Sequence, residues 1–117
     1  MIKEYKMSAL SELYEQALKA RTRAYAPYSG FAVGAAVLSF SGKIYAGCNV
    51  ENVSYPCGTC AEAGAIAAMH AGGDRLIKDI VVVAGGSKLI SPCGACLQRI
   101  FEFADKKTKV HLADLEG

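Results

Sequence analysis

The chain has 117 residues, 52% of them hydrophobic and 21% charged, with a formal charge of +2. That length sets a single domain, residues 1–117, able to bury a sizeable core without disulfide staples. Basic and acidic residues are scattered, which argues against a long nucleic acid partner, and no apolar run approaches the roughly 18 residues of a membrane span. The polar, charged start Met1–Lys6 lacks the pattern of a leader. The high apolar content and many Ala and Gly residues point to further surface buried between subunits. Cysteines number five, and four of them fall in two C-x-x-C pairs. An odd count in that pattern fits a reducing cytoplasm and metal or thiolate chemistry better than a disulfide framework.

In chain order, Leu10, Leu13, Tyr14, Ala17 and Leu18 recur at helical spacing and predict a first helix, with Ser8 as N-cap and Glu12 in its first turn. The stripe fades near Ala24. Pro27 bars a regular continuation, so Tyr25–Gly30 is a loop. Phe31–Phe40 reads as a strand apolar on both faces, hence central. Ser41-Gly42 turns it into a second strand, Lys43–Asn49. A polar loop from Asn49 to Thr59 precedes a small-residue helix over Cys60–Ala71, ended by Gly72-Gly73. Asp79–Ala84 is a buried strand, and Gly85–Ser91 a loop. A third helix starts at Cys93 and carries Cys96, Leu97, Ile100, Phe101 and Ala104, with Lys106-Lys107 at its C-terminus. Val110–Ala113 is the final strand, followed by a tail, Asp114–Gly117. The order αββαβαβ predicts a layered α/β domain with helices over a mixed sheet.

The chemistry concentrates in Cys57-Gly-Thr-Cys-Ala-Glu62 and Pro92-Cys-Gly-Ala-Cys96, each where a loop runs into a helix. A helix N-terminus offers free N–H groups and positive dipole, which favours thiolate over thiol. Three readings compete. All four cysteines could close a structural Cys₄ zinc knuckle. A C-x-x-C pair could be a redox motif. Alternatively, Cys60, Cys93 and Cys96 hold zinc and leave one position to water, with Glu62 as acid/base. The third reading uses features the others leave idle: a Glu two residues after a ligand, and Pro92 setting the second loop. A ligand-x-Glu followed by Pro-Cys-x-x-Cys is the zinc deaminase signature.

Around these motifs, Tyr28-Ser-Gly-Phe-Ala-Val-Gly-Ala-Ala36 and Gly47-Cys-Asn-Val-Glu-Asn52 follow in matching order. Across Tyr25–Ala104 the chain resembles the small homotetrameric cytidine deaminases. The resemblance implies a three-layer α-β-α sandwich with a mixed central sheet of about five strands. It implies one Zn²⁺ per chain and hydrolytic deamination of cytidine or deoxycytidine to the uracil nucleoside and ammonia in cytoplasmic pyrimidine salvage. Glu62 would take a proton from water, deliver it to N3 and help ammonia leave. By the same resemblance Asn49 and Glu51 bind the ribose hydroxyls, Phe31 packs on the base and the backbone near Ala61 holds its polar edge. Tyr55 would come from a neighbouring subunit of a homotetramer. Taken alone, Phe31 reads equally as core, and Asn49 and Glu51 as turn residues. Cys57 has no role in this account, Cys48 reads as a small buried hydrophobe, and His70 and His111 are isolated from the cysteines.

Two features depart from the pattern. Many relatives with three cysteine ligands place an Arg directly after Cys-Ala-Glu and another after the second Cys of the Pro-Cys segment; here these are Ala63 and Leu97. Three thiolates on Zn²⁺ carry net −1 and weaken it as a Lewis acid. Arg99, one turn along, is the candidate for taking over part of that role, against the plain reading of a surface residue. Relatives also continue past the last strand, which puts substrate breadth in question. Another aminopyrimidine nucleoside of the blasticidin type is the alternative substrate, and a non-catalytic Cys₄ module the alternative of another class.

Overall fold

The computed structural model describes residues 2–85, 94–113 and 115. Its elements are α1 (Ile2–Arg21), β1 (Val33–Ser39), β2 (Ile44–Cys48), α2 (Ala61–Ala71), β3 (Ile77–Ala84), α3 (Gly94–Glu102) and β4 (Ala104–Ala113), with a 3-10 turn over Tyr55–Cys57. The sheet order is β2-β1-β3-β4. Strand β1 is antiparallel to both β2 and β3, while β3 and β4 run parallel.

Alternation along β1 divides the core. Ala35 and Val37 face one side and join Ala61, Ala65, Ile66 and Met69 of α2, Ile80 and Val82 of β3, and Ile100 of α3. Ala36 faces the other side, with Val81 and Val83, against Leu13 and Ala17 of α1. With apolar residues on both faces, β1 and β3 are covered on both sides, giving the three-layer α-β-α arrangement. Glycines bring the layers close. A Cβ on Gly47 of β2 would stand 2.7 Å from the Ala61 carbonyl oxygen, so α2 lies against β2 backbone to backbone. The small residues of α2 therefore serve packing within the chain.

Several expectations need correction. The described residues form four strands, not five; only four stretches carry strand patterning, and β2 and β4 are the two sheet edges. Helix α1 begins at Ile2, so Ser8 lies inside it rather than at its N-cap position, and Glu12 is not in its first turn. Ile2–Met7 contains no Gly or Pro and is rich in helix formers, so nothing stops the helix earlier. At the other end of the chain, α3 stops at Glu102 and Lys106-Lys107 belong to β4. There, the register passes from Ile77↔Ala104 to Asp79↔Lys109, so β4 bulges over Asp105–Thr108. The bulge is fixed locally: Asp105 N–H donates to Thr108 Oγ1 at 2.9 Å, Lys107 N–H to Asp105 Oδ1 at 2.7 Å, and Thr108 Oγ1 to the Ile77 carbonyl at 2.6 Å. Asp and Thr favouring a local turn outweigh the helical pattern. Consequently Ala104 opens β4, and Phe101, expected in the α3 stripe, is 70% exposed.

Candidate functional site

The site forms where α2 and α3 begin. Cys60 is the N-cap of α2, extended in backbone (φ −81°, ψ 162°), and makes no side-chain capping bond, so its sulfur is free to point elsewhere. It points at Cys96, buried in the first turns of α3, and the two sulfur atoms are in contact. Their Cα atoms are 7.6 Å apart, wider than the roughly 4.4–6.8 Å of a relaxed disulfide. The two helix starts thus bring both sulfurs to one point, where they could share one ion. A Glu62 carboxylate oxygen completes the group, all three ligand atoms lying within 4.8 Å of one another. Two soft sulfurs with a carboxylate beside them, at helix starts that favour thiolate, suit zinc. The third expected ligand, Cys93, and Pro92 lie outside the described residues, as does all but Gly85 of the loop expected over Gly85–Ser91.

Glu62 sits in the first turn of α2 and is 5% exposed. Burial pushes its pKa up, opposed by a hydrogen bond from its own backbone N–H and by the Arg99 charge. The desolvated carboxyl thus holds a proton more readily than a free one, as suits an acid/base. Arg99 lies one turn beyond Cys96 on α3, and its Nη1 donates to Cys60 Sγ at 3.6 Å and Cys96 Sγ at 3.7 Å. Arg99 is exposed, as the plain reading of a surface residue expects, and its guanidinium at the same time reaches both cysteine sulfurs.

A short ladder ties the remaining candidates to the cysteines. Val50 and Thr59 exchange backbone hydrogen bonds, both 2.8 Å, immediately before Cys60. On the other side, Tyr25 N–H donates to Asn49 O at 2.9 Å and Glu51 N–H to Tyr25 O at 2.8 Å. Asn49 fixes the chain near Phe31: its Oδ1 accepts from Val33 N–H at 2.8 Å and its Nδ2 donates to Phe31 O at 2.9 Å. Glu51 accepts from the N–H groups of Tyr28 (3.0 Å) and Ser29 (3.1 Å) and from the Ser29 hydroxyl. Ser29 thereby holds the Glu51 carboxyl below the usual carboxylate range. Asn49 and Glu51 thus anchor the 28–33 segment, a task that Ser29 shares and that sequence reasoning missed. The Tyr-Ser-Gly turn was its only signal.

The other candidates separate by position. Phe31 is half-buried, Ala61 is buried at the start of α2, and Tyr55 is 90% exposed on the 3-10 turn. Cys57 is exposed, and its thiol reaches Ser54 Oγ at 3.6 Å rather than the sulfur pair. Cys48 is half-buried, short of the full burial expected, because β2 is an edge strand. His111 pairs with Asp79 at 2.9 Å, and His70 stacks edge-on against Phe103 with centroids 4.3 Å apart. Neither belongs to the metal-binding group.

Comparison with known proteins supports the same segments. Residues 7–112 match the family model described as cytidine and deoxycytidylate deaminase zinc-binding region. The chain is 44% identical over 108 residues to a cytidine deaminase of Sporosarcina psychrophila, covering 92% of this chain and 79% of that one. It is 43% identical to one from Halalkalibacterium halodurans over 105 residues, 90% and 80% of the two chains. Among solved structures, cytidine deaminase from Burkholderia pseudomallei superposes with a TM-score of 0.84 at 43% identity, covering 92% of this chain and 86% of that chain. The Mycobacterium tuberculosis enzyme gives 0.81 at 36%, with 89% and 88% covered. With both cysteine-bearing helix starts inside the matched segment, the chain belongs to the cytidine and deoxycytidylate deaminase zinc-binding family.

Proposed function

We propose that this chain catalyses the hydrolytic deamination of cytidine or deoxycytidine, releasing ammonia and the uracil nucleoside. One observation carries the reading: the Cys60 and Cys96 sulfurs converge with the buried Glu62 carboxylate at two helix starts. Cys60 and Cys96, with Cys93 as the third ligand assigned from the sequence, would hold the zinc. Bound there, zinc supplies the Lewis acidity that makes water easy to deprotonate near neutral pH. Glu62 accepts one proton of the attacking water and delivers it to ring N3 as oxygen adds to C4, then takes the remaining proton from the new C4 hydroxyl and gives it to the amine. The C4–N4 bond breaks as C4=O forms and ammonia leaves, and no electrons are exchanged with a second substrate.

Asn49 and Glu51 have capacity left for a ribose. After its two backbone bonds Asn49 keeps one N–H and one lone pair, and Glu51 keeps a lone pair on Oε2. Phe31, anchored beside them, would lie on the base, with the Ala61 backbone at its polar edge. The exposure of Val53, Tyr55, Phe101 and Tyr28 supports burial against further copies, a homotetramer in which Tyr55 completes a neighbouring site. No described helix is long and apolar enough to cross a membrane. Free thiols at Cys48 and Cys57 suit a reducing cytoplasm, where the reaction serves pyrimidine salvage.

The test is cytidine turnover followed by ultraviolet absorbance, with Glu62→Gln as control. Native protein should consume cytidine and the variant should not. A zinc-loaded native protein inert to cytidine, deoxycytidine and aminopyrimidine analogues would end this reading.

A further inference from the structure

The geometry points to Arg99 as a positioning residue of the zinc site: its guanidinium bridges the Cys60 and Cys96 sulfurs, holds the two helix starts together and offsets the surplus negative charge of the ligands. This rests on the zinc deaminase reading and deepens it. Three observations support it. Arg99 lies three residues after Cys96 on α3, the spacing that stacks two side chains on one helical face. The same nitrogen, Nη1, reaches the sulfurs of both cysteines, at 3.6 and 3.7 Å, although they belong to different helices. Finally, two thiolates with the Glu62 carboxylate, or three thiolates, leave a zinc centre at net −1, and one guanidinium restores neutrality.

The bridge has two separable parts. Its charge lowers the electron-donating power of the sulfurs, which keeps the metal a stronger Lewis acid. Its planar guanidinium holds the two N–H bonds of Nη1 at a fixed angle toward the two sulfurs, which the freely rotating ammonium of a lysine does not do. Groups that orient metal ligands from behind typically change metal affinity by about 10–100-fold when removed.

Arg99→Gln and Arg99→Lys, with Gln98→Ala as an exposed neighbour on the same helix, separate these parts. Zinc affinity is read on purified holoenzyme by chelator competition, and the sulfur-to-metal charge-transfer band on the cobalt(II)-substituted protein. Arg99→Gln should weaken zinc binding about 10–100-fold and move the band to longer wavelength, because uncompensated thiolates give up electrons more easily. Arg99→Lys should leave the band near its native position while recovering only part of the affinity. Gln98→Ala should match the native protein in both. If native protein binds zinc and deaminates cytidine, and Arg99→Gln leaves both affinity and band unchanged, Arg99 has no such role and the enzyme reading stands. If native protein binds no zinc, both fail together.

Discussion

Two carboxylates flank α2, and the fold treats them in opposite ways. Asp74, just past Gly72-Gly73, gathers three hydroxyls on Oδ2: Tyr45 at 2.6 Å, Ser41 at 2.9 Å and Ser39 at 3.1 Å. The Tyr45 and Ser41 hydroxyls hold its pKa below the usual carboxylate range, and the same bond raises that of Tyr45. Glu62, at the first turn, is buried, and burial lifts its pKa despite its own backbone N–H and Arg99. A carboxylate that collects donors stays ionised and ties the β1–β2 hairpin to the end of α2. One deprived of water and given few donors keeps the proton affinity that chemistry needs.

The contrast can be broken experimentally, first and hardest at Glu62. Glu62→Gln should cost turnover on the order of 10³-fold, while thermal melts show a fold at least as stable, since an uncomfortable buried acid is gone. Loss of stability with turnover intact would reverse the two roles. Next, Gly47→Ala pushes a Cβ into the Ala61 carbonyl and so displaces the helix start carrying Glu62. It should destabilise by about 1–3 kcal/mol and lower turnover as well, measured by urea melts and steady-state assay. Asp74→Asn should lower Tm modestly and leave kcat alone. The pH signs follow from the shifts. A depressed Asp74 pKa gives stability present above the ordinary carboxylate value and lost as pH falls through the folded one, so Asp74→Asn should flatten the acid limb of Tm against pH. A raised Tyr45 pKa gives stability present below the ordinary phenol value and lost as pH rises through the folded one, so Tyr45→Phe should flatten the alkaline limb. The smallest effect belongs to Cys57→Ser: zinc content by atomic absorption should stay at the native level, whereas a Cys₄ knuckle would lose its metal.

The sequence disclosed the site better than it disclosed the scaffold's polar joints. Cys60, Glu62 and Cys96 were legible because ligand chemistry demands fixed residue types at fixed offsets from helix starts. Strand β1 was legible because alternation leaves apolar residues on both faces. Asp74 was not, since Ser39, Ser41 and Tyr45 reach it from a different hairpin and no local pattern records that meeting. Lys106-Lys107 misled for a related reason: a helix-ending charge pattern and a bulge held by Asp105 and Thr108 look alike until the neighbouring strand is known. The fifth strand came with the resemblance, and nothing in the chain's own patterning asked for it.

The ladder that joins Val50 to Thr59 pinches the intervening residues into a closed loop whose neck abuts Cys60. Residues 52–58 within it are all exposed, Tyr55 most of all the large side chains. Because the neck is secured by backbone groups alone, the rim can change sequence without any side chain at the neck having to change with it. A change of sequence on the rim is therefore separable from the chemistry at the cysteines, the one lying above the pinch and the other below it.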